Sequence, residues 1–268
     1  MKKKKYNPKI SIIMVVHNEE STVMRSIKSI LNQNFNKFEL LIFDNNSIDK
    51  TKFFLRNMSF RDKRIKIFFS KKNIGLTKGL NFLLKKTKSE IIARIDGDDY
   101  WNSNKLRLQF RFFNWTNRNV VGTNTFYVKK YKKISSSNLP LLDREIRKKI
   151  LFSNPFIHSS IMFNKKYLKS YDINYLKCQD YDAWLKLSLN KNFKFRNINR
   201  KLTYHSLDKS LSLQSILSEL KIRINLDVSQ RRSQYSKTMI KHAHYFYYYR
   251  AGSCQICNNI VESLDRRN

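Results

Sequence analysis

The sequence of 268 residues has few cysteines, few acidic residues and no long apolar run. Its three cysteines, Cys178, Cys254 and Cys257, are too few to form a disulfide scaffold. Cys254 and Cys257 have the spacing of half a zinc site, but the sequence shows no second half. The cysteines therefore indicate neither a disulfide-rich secreted protein nor a zinc domain.

No apolar run is long enough to cross a bilayer. The lysine-rich start, Met1–Lys5, continues into polar residues and not into the apolar segment of a signal peptide. The chain is nevertheless 41% hydrophobic and 13% aromatic, which is enough to bury a substantial core. We therefore expect a folded, cytoplasmic protein, with either one large α/β domain and a short extension or two small domains.

The shortage of acids makes the chain strongly cationic. Lysine and arginine total 54 against 20 acidic residues, which gives a net charge of +34. The basic residues are spread along the sequence, whereas a dedicated nucleic-acid binder concentrates them on one element. Three interpretations stay open: a nucleic-acid surface, attachment to an anionic membrane, and a lysine-rich compositional bias. Even a bias leaves a surface that attracts anionic lipids or polyphosphate substrates.

The first hundred residues alternate between apolar runs and helical patterns. The runs predict buried strands at Ile10–Val16, Phe38–Phe43, Arg64–Phe69 and from Ile91. Between them, apolar residues recur at helical spacing. This alternation predicts a parallel, doubly wound sheet.

Polar groups follow three of these strands. His17, Asn18 and Glu19 follow the first strand, Asp44 the second, and Asp96 to Asp99 the fourth. In a doubly wound sheet, ligands bind beyond the carboxyl ends of the strands. We therefore expect these three groups to converge on one cleft.

The stretch IIARIDGDDYW, Ile91–Trp101, places three aspartates within four residues of a cationic chain. Carboxylates this close repel one another unless a cation or hydrogen-bond donors hold them. Helix capping explains one of them. A calcium loop of the EF-hand type is excluded because Arg107 occupies the position of its terminal glutamate. An aspartyl phosphatase is disfavoured because Tyr100 stands where a small hydroxylated residue is expected.

The second half of the chain is less regular. Helices are predicted at Leu106–Phe113, Arg144–Leu151 and Asp180–Leu189. Strands are predicted at Val120–Val128 and Ser159–Phe163. The pattern changes after residue 212, so we expect a domain over 1–212 and a helical C-terminal extension over 213–268.

Five ordered motifs resemble those of glycosyltransferase family 2, an inverting family with the GT-A fold. They read SIIMVVHNEE, FELLIFDNNSIDKT, NIGLTKGLN, ARIDGDD with its Asp-x-Asp pattern, and QDYDAWLKL, at Ser11–Glu20, Phe38–Thr51, Asn73–Asn81, Ala93–Asp99 and Gln179–Leu187. Together they cover roughly residues 9 to 212. The resemblance implies a mixed, mainly parallel α/β sheet flanked by helices.

The resemblance also implies a role for individual residues. Asp44 would accept a hydrogen bond from the nucleotide base, with His17 beside that base, and Asp96 would face the ribose. Asp98 would bind magnesium or manganese, for which carboxylate oxygen is a suitable ligand. Asp180 would be the general base, and its place at a helix start favours the ionised form. Asn18, Glu19 and Lys78 complete the predicted substrate-binding set, and Lys78 could equally be a solvated helix lysine.

The chain departs from the family pattern at several positions. Gln179 replaces the first acid of the acceptor-side motif, and Asn45 stands where a second aspartate is common. His205 occupies an arginine position, and Leu207 occupies the position of a histidine. Whether His205 or His158 joins the site is left open.

Two hypotheses follow. In the first, a metal-dependent enzyme of the hexosyltransferase type moves a sugar from a nucleotide-diphospho-sugar to a glycan or lipid-linked saccharide, in the biosynthesis of bacterial cell-surface polysaccharide. It would be cytoplasmic with peripheral contact at the inner face of an anionic membrane, and it would have no nucleic-acid partner. In the second, the chain is a basic module without catalysis that binds nucleic acid or membrane, in which Tyr245–Arg250 interleaves aromatic and cationic residues.

Overall fold

A computed structural model describes residues 6–116, 118–207 and the single residue Ile222. Within these residues the chain forms nine strands, six helices and one short 3-10 turn, His158–Ser160. The strands are β1 (Ile10–Val16), β2 (Phe38–Asp44), β3 (Ile65–Phe69), β4 (Ile91–Arg94), β5 (Tyr100–Trp101), β6 (Val120–Lys129), β7 (Lys132–Ser136), β8 (Met162–Asn164) and β9 (Phe195–Ser206). The helices are α1 (Val23–Leu31), α2 (Thr51–Arg61), α3 (Leu76–Lys86), α4 (Lys105–Thr116), α5 (Asp143–Ile150) and α6 (Gln179–Ser188).

The strands form one mixed sheet in the order β3-β2-β1-β4-β8-β6-β9-β5, with β7 paired to β6. The first four strands are parallel to one another. Strand β8 runs antiparallel to both of its neighbours, β4 and β6. Parallel pairing resumes between β6 and β9, while β5 and β7 pair antiparallel. The predicted mixed α/β sheet with flanking helices is confirmed.

Helices cover both faces of the sheet. Side chains of α1, α2 and α4 pack on one face, and those of α3, α5 and α6 pack on the other. Strand β1 lies between these two layers, and all seven of its residues are buried. Each large aliphatic side chain buried in this way contributes roughly 1.5–3 kcal/mol. The unbroken apolar run of β1 therefore reflects burial on both faces.

The register of the parallel strands brings the polar segments together. Val16, the last residue of β1, lies opposite Asp44, the last residue of β2. On the other side of β1, Ile13 lies opposite Arg94, the last residue of β4. The loops after β1, β2 and β4 consequently leave the sheet at the same edge, as the sequence predicted.

The prediction of a strand over Ser159–Phe163 is wrong in its first half. Ser159 and Ser160 belong to the 3-10 turn, and the strand begins at Met162. The turn forms because the Ser159 hydroxyl donates to Asp96 and accepts from Arg94, which are contacts a regular strand would not allow. The short strands β5 and β7 and the long strand β9 were not predicted.

The helical extension predicted for 213–268 lies outside the described residues apart from Ile222. The segment Tyr245–Arg250 and the pair Cys254 and Cys257 also lie outside them. Within the described part of the chain, no helix has both the length and the apolar character needed to traverse a bilayer.

Candidate active site

The loop between β4 and β5 carries the three clustered aspartates. Carboxylate oxygens of Asp96, Asp98 and Asp99 lie within 4.8 Å of one another. Such a cluster of hard oxygen ligands suits magnesium or manganese. The loop packs closely on β1, since a Cβ atom added to Gly97 would lie 2.7 Å from Val16 Cγ1.

Asp96 is paired with a buried arginine. Both terminal nitrogens of Arg94 donate to the Asp96 carboxylate, and Ser159 Oγ donates to it over 2.9 Å. Burial alone would raise the pKa of Asp96, but the Arg94 guanidinium outweighs burial and lowers the pKa to about 2. Asp96 is therefore permanently charged at neutral pH.

Asp99 is paired with a histidine from the far edge of the sheet. The fully buried carboxylate bonds His205 Nδ1 over 2.9 Å and accepts the Ser206 amide over 2.8 Å. Burial opposes protonation of His205, but the charge of Asp99 prevails and raises the pKa of His205 to about 9. Asp99 thus anchors the end of β9, and His205 lies beside the acidic loop.

Asp98 lies between these two neutralised carboxylates and is partly exposed. Its backbone carbonyl accepts a hydrogen bond of 2.8 Å from Arg25 Nη2 on α1. Arg94 and His205 thus each pair with one of the two carboxylates that flank Asp98 in this loop.

Asp44 lies fully buried at the end of β2. Its Oδ1 atom accepts the Ser47 amide over 3.2 Å, whereas the buried Oδ2 atom has no hydrogen-bond partner among the described residues. Next to it, the Asn45 side chain donates to Asn73 and accepts the Ile74 amide, which fixes the loop before α3. An orphaned buried acceptor is costly unless a ligand donates to it.

The segment after β1 mostly forms hydrogen bonds with the segment that follows β2. Asn18 has a left-handed backbone with φ of 54°, and its Oδ1 accepts the Ile48 amide over 2.9 Å. The Glu19 amide donates to Thr51 Oγ1 over 2.8 Å, and His17 is exposed at this rim. Lys78 is exposed in the first turn of α3. Asn18 and Glu19 thus contact the segment that follows Asp44 in the sequence.

Asp180 lies at the start of α6 and is buried. Its Oδ2 atom accepts a hydrogen bond of 2.6 Å from Asn154 Nδ2. Burial raises the pKa of Asp180, and the lowering effects of Asn154 and Arg94 offset this only in part. The sequence led us to expect that the helix N-terminus would favour the ionised form. Burial outweighs that effect, which leaves a carboxylate more basic than usual.

Asp96 and Asp180 are linked through Arg94. Arg94 bonds Asp96 directly and also acts on Asp180 through its charge. Between them, His158 Nε2 lies 3.0 Å from the Tyr171 hydroxyl. Burial, with Arg94, lowers the pKa of His158 well below its ordinary range, so the ring is neutral. His158 is thus a buried partner of Tyr171.

Four residues of this site were missed from sequence: Arg94, Asn154, Ser159 and Tyr171. Only Arg94 left a signal, because an arginine inside an apolar strand that leads into an acidic loop requires a buried partner. Asn154, Ser159 and Tyr171 are ordinary polar residues in irregular segments, so their role depends on contacts distant in sequence.

Comparison with known proteins then decides the family. Residues 11–172, more than half of the chain, match the family described as Glycosyl transferase family 2. The chain belongs to glycosyltransferase family 2. It is an enzyme of the glycosyltransferase class, and the resemblance inferred from the five motifs is confirmed.

Two relatives from Escherichia coli illustrate the similarity. The O-antigen biosynthesis glycosyltransferase WbnJ is 31% identical over 219 residues, which cover 78% of this chain and 84% of WbnJ. The UDP-Glc:alpha-D-GlcNAc-diphosphoundecaprenol beta-1,3-glucosyltransferase WfgD is 27% identical over 216 residues, which cover 79% of this chain and 82% of WfgD.

Solved structures share the fold of this family 2 chain. S. aureus TarS 1-349 in complex with UDP has a TM-score of 0.66 at 18% identity, covering 91% of this chain and 72% of that one. Mannosyltransferase PcManGT from Pyrobaculum calidifontis, in complex with GDP-Man and Mn2+, has a TM-score of 0.59 at 12% identity, covering 92% and 82%. At these identities the likeness establishes the GT-A fold alone.

Proposed function

We propose that this chain is a metal-dependent inverting glycosyltransferase that transfers a hexose from a nucleotide-diphospho-sugar to a hydroxyl of a glycan or lipid-linked saccharide. The observation that carries this proposal is the position of Arg94, which bonds Asp96 and also acts on Asp180. The acidic loop and the basic carboxylate are therefore close enough to the same guanidinium for both to feel its charge. A transferase needs both, one for the donor and one for the acceptor hydroxyl.

Asp44 and Asp96 suit the nucleoside of the donor. The unpartnered Oδ2 atom of Asp44 can accept a hydrogen bond from an N–H group of the base. Asp96, held ionised by Arg94, can accept from the ribose hydroxyls. Exposed His17 lies at the rim on the Asp44 side, with Asn18 and Glu19 bracing the loop and Lys78 placed to approach the diphosphate.

The acidic loop suits a divalent cation. Ligand oxygens of Asp96, Asp98 and Asp99 lie within 4.8 Å of one another, close enough to share one ion, and carboxylate oxygen is a suitable ligand for Mg²⁺ or Mn²⁺. Asp98 would hold magnesium or manganese, and the bound ion would supply Lewis-acid stabilisation of the departing diphosphate. His205, protonated at neutral pH, adds positive charge beside the same diphosphate.

Asp180 suits the role of general base. Its raised pKa makes the carboxylate a better proton acceptor, while the Asn154 hydrogen bond and the charge of Arg94 favour its ionised form. It would take the proton of the acceptor hydroxyl as that oxygen attacks the anomeric carbon. One base and one displacement invert that centre, as in single-displacement glycosidases.

Relatives guide the choice of substrates for a first test. WfgD acts, by its name, on UDP-Glc and a GlcNAc-diphosphoundecaprenol, and WbnJ takes part in O-antigen biosynthesis. TarS structures contain UDP or UDP-GlcNAc. We propose a UDP-sugar donor, a lipid-linked acceptor, a role in cell-surface polysaccharide biosynthesis, and a cytoplasmic enzyme in peripheral contact with the membrane.

The test measures release of UDP from a panel of UDP-sugars, with a diphosphoprenyl-linked sugar as acceptor and with Mn²⁺, Mg²⁺ or a chelator. We expect metal-dependent release that Asp98→Ala abolishes and that Glu90→Ala leaves intact. Glu90 is a matched control because it is an exposed acid at the opposite end of β4. Mn²⁺ binding, followed by electron paramagnetic resonance, should weaken in Asp98→Ala alone. Metal-dependent activity that persists in Asp98→Ala would refute the metal assignment.

A further inference from the structure

The hairpin of β6 and β7 ends in a strained turn. Lys129 pairs with Lys132, so Lys130 and Tyr131 form a two-residue loop. Both have left-handed backbones, with φ of 45° and 67°. Such turns favour asparagine, aspartate and glycine, and neither position has one of them. Strained backbone at a surface tip is typical of functional segments.

The tip and the outer strand form a basic, partly apolar surface, which we call the hairpin surface and define as residues 129–136. All eight residues are exposed, and four are lysines. Tyr131 is 63% exposed and Ile134 is 54% exposed. No acidic residue occurs anywhere between positions 100 and 142. The hairpin surface therefore combines four exposed lysines with exposed aromatic and aliphatic side chains.

Stacked side chains attach this surface to the acidic loop. The Arg25 guanidinium lies 4.7 Å from the Tyr131 ring and 4.5 Å from the Tyr100 ring. The same guanidinium donates to the Asp98 carbonyl. The Arg25 guanidinium thus contacts both the Tyr131 ring and the loop that carries Asp98. The hairpin surface therefore lies at the rim of the proposed donor site.

The aromatic rings behind the hairpin are already covered. Tyr204 stacks on Tyr100 with centroids 4.4 Å apart and on Phe126 at 5.4 Å, and Lys133 lies 4.3 Å over Phe126. Binding of single-stranded nucleic acid uses free ring faces on which bases stack. Here the faces are taken by neighbouring rings and cations, which argues against nucleic acid as the partner.

We propose that the hairpin surface docks onto anionic phospholipid headgroups. Lys129, Lys130 and Lys132 would contact the charged headgroups, while Tyr131 and Ile134 would enter the interfacial layer. Docking there would place the rim of the donor site against the membrane, where a lipid-linked acceptor resides. The purpose of the contact rests on the proposed function, but the contact itself does not.

The test is co-sedimentation of the full chain with vesicles of phosphatidylcholine alone or mixed with phosphatidylglycerol, at low and at high salt. The hairpin variant is K129Q/K130Q/K132Q, which leaves the stacked Lys133 in place. The matched control is K85Q/K148Q/K149Q, which removes the same charge from exposed positions of α3 and α5. We expect the hairpin variant to lose about tenfold or more in partitioning to anionic vesicles, since each lysine contributes about fivefold.

The control variant should lose far less, and Ile134→Ser should weaken binding most visibly at high salt, where the lysine contribution is screened. Equal losses in the hairpin and control variants, or no loss in the hairpin variant, would overturn the proposal. A hairpin variant that loses oligonucleotide binding but keeps vesicle binding would overturn it in favour of nucleic acid.

UDP release measured without vesicles should be unchanged in the hairpin variant. If the wild-type protein releases no UDP, the proposed function is refuted. Vesicle co-sedimentation still tests the docking proposal in that case.

Discussion

Asp96 and Asp180 are both influenced by the Arg94 guanidinium, yet their pKa values move in opposite directions. Arg94 bonds Asp96 with two hydrogen bonds, and the pKa of Asp96 falls to about 2. Asp180 is bonded by the neutral Asn154 and feels Arg94 only through its charge, so burial prevails and its pKa rises. One arginine thus acts on two carboxylates of different character, of which Asp96 is permanently charged and Asp180 is more basic than usual.

The largest effect should come from removing the basic carboxylate. Asp180→Asn keeps the shape of the side chain but cannot accept the proton, so turnover should fall roughly 10²–10⁴-fold. Affinity for UDP, measured by calorimetry, should stay unchanged because the proposed base would contact the acceptor and not the nucleotide. Asp182→Asn is the matched control, another buried aspartate in the first turn of α6, and it should keep most of the activity. If Asp182→Asn were the inactive variant, the base would be misassigned.

The next largest effect should come from breaking the ion pair of Arg94 and Asp96, which should lower the free energy of unfolding. Arg94→Met leaves the Asp96 carboxylate without its cation, and the free energy of unfolding should fall by about 3 kcal/mol. The double variant Arg94→Met/Asp96→Asn removes both charges and should recover part of that loss. Denaturant unfolding of the three proteins measures this. A double variant no more stable than the single one would show that Arg94 stabilises the fold through packing alone.

The pairing of Asp99 with His205 should make stability depend on pH. The pKa of His205 is raised from 6.5 to about 9 in the folded state, so its contribution is fully present below pH 6.5 and is lost as the pH rises through about 9. After allowance for partial exposure of the ring, we expect a loss of about 2 kcal/mol over this window in metal-free buffer. Unfolding measured across this pH range should show the loss in wild type and not in His205→Gln. A pH-independent wild type would contradict the pairing.

The smallest effect should come from removing the hydrogen bond that Asn154 donates to Asp180, the proposed general base. Asn154→Ala removes the donor that stabilises ionised Asp180, so the pKa of Asp180 should rise further. Because the base must be ionised, the acidic limb of the pH–rate profile should move to higher pH. Activity at acidic pH should fall roughly fivefold, the equivalent of one hydrogen bond of about 1 kcal/mol. Turnover at alkaline pH serves as the internal control and should match wild type.

Parts of the site differ in how far the sequence predicts them. Strand β1 was predicted with the bounds it has, and β2 to within one residue. Asp44 ends β2 and Asp96 lies two residues after β4, so the parallel pairing of both strands with β1 suffices to bring them to one edge. The roles assigned to His17, Asp44, Asp96, Asp98 and Asp180 stay predictions.

The contacts that Ser159 and His205 make with the acidic loop were not predictable. Ser159 reads as part of a strand, but its hydroxyl is drawn into a turn by residues 63 and 65 positions earlier. His205 and Asp99 are 106 residues apart, and nothing in the local pattern around β9 indicates that they meet. Periodicity reports local burial and cannot report pairing across an antiparallel strand such as β8.

The sequence by itself determined the alternation of strands and helices, the edge at which the polar loops meet, and the family, since local apolar periodicity and ordered motifs carry that information. Only the tertiary structure decided which carboxylate is charged and which is basic. A pKa depends on burial and on the distance to Arg94, and both arise from contacts between segments that the sequence leaves far apart.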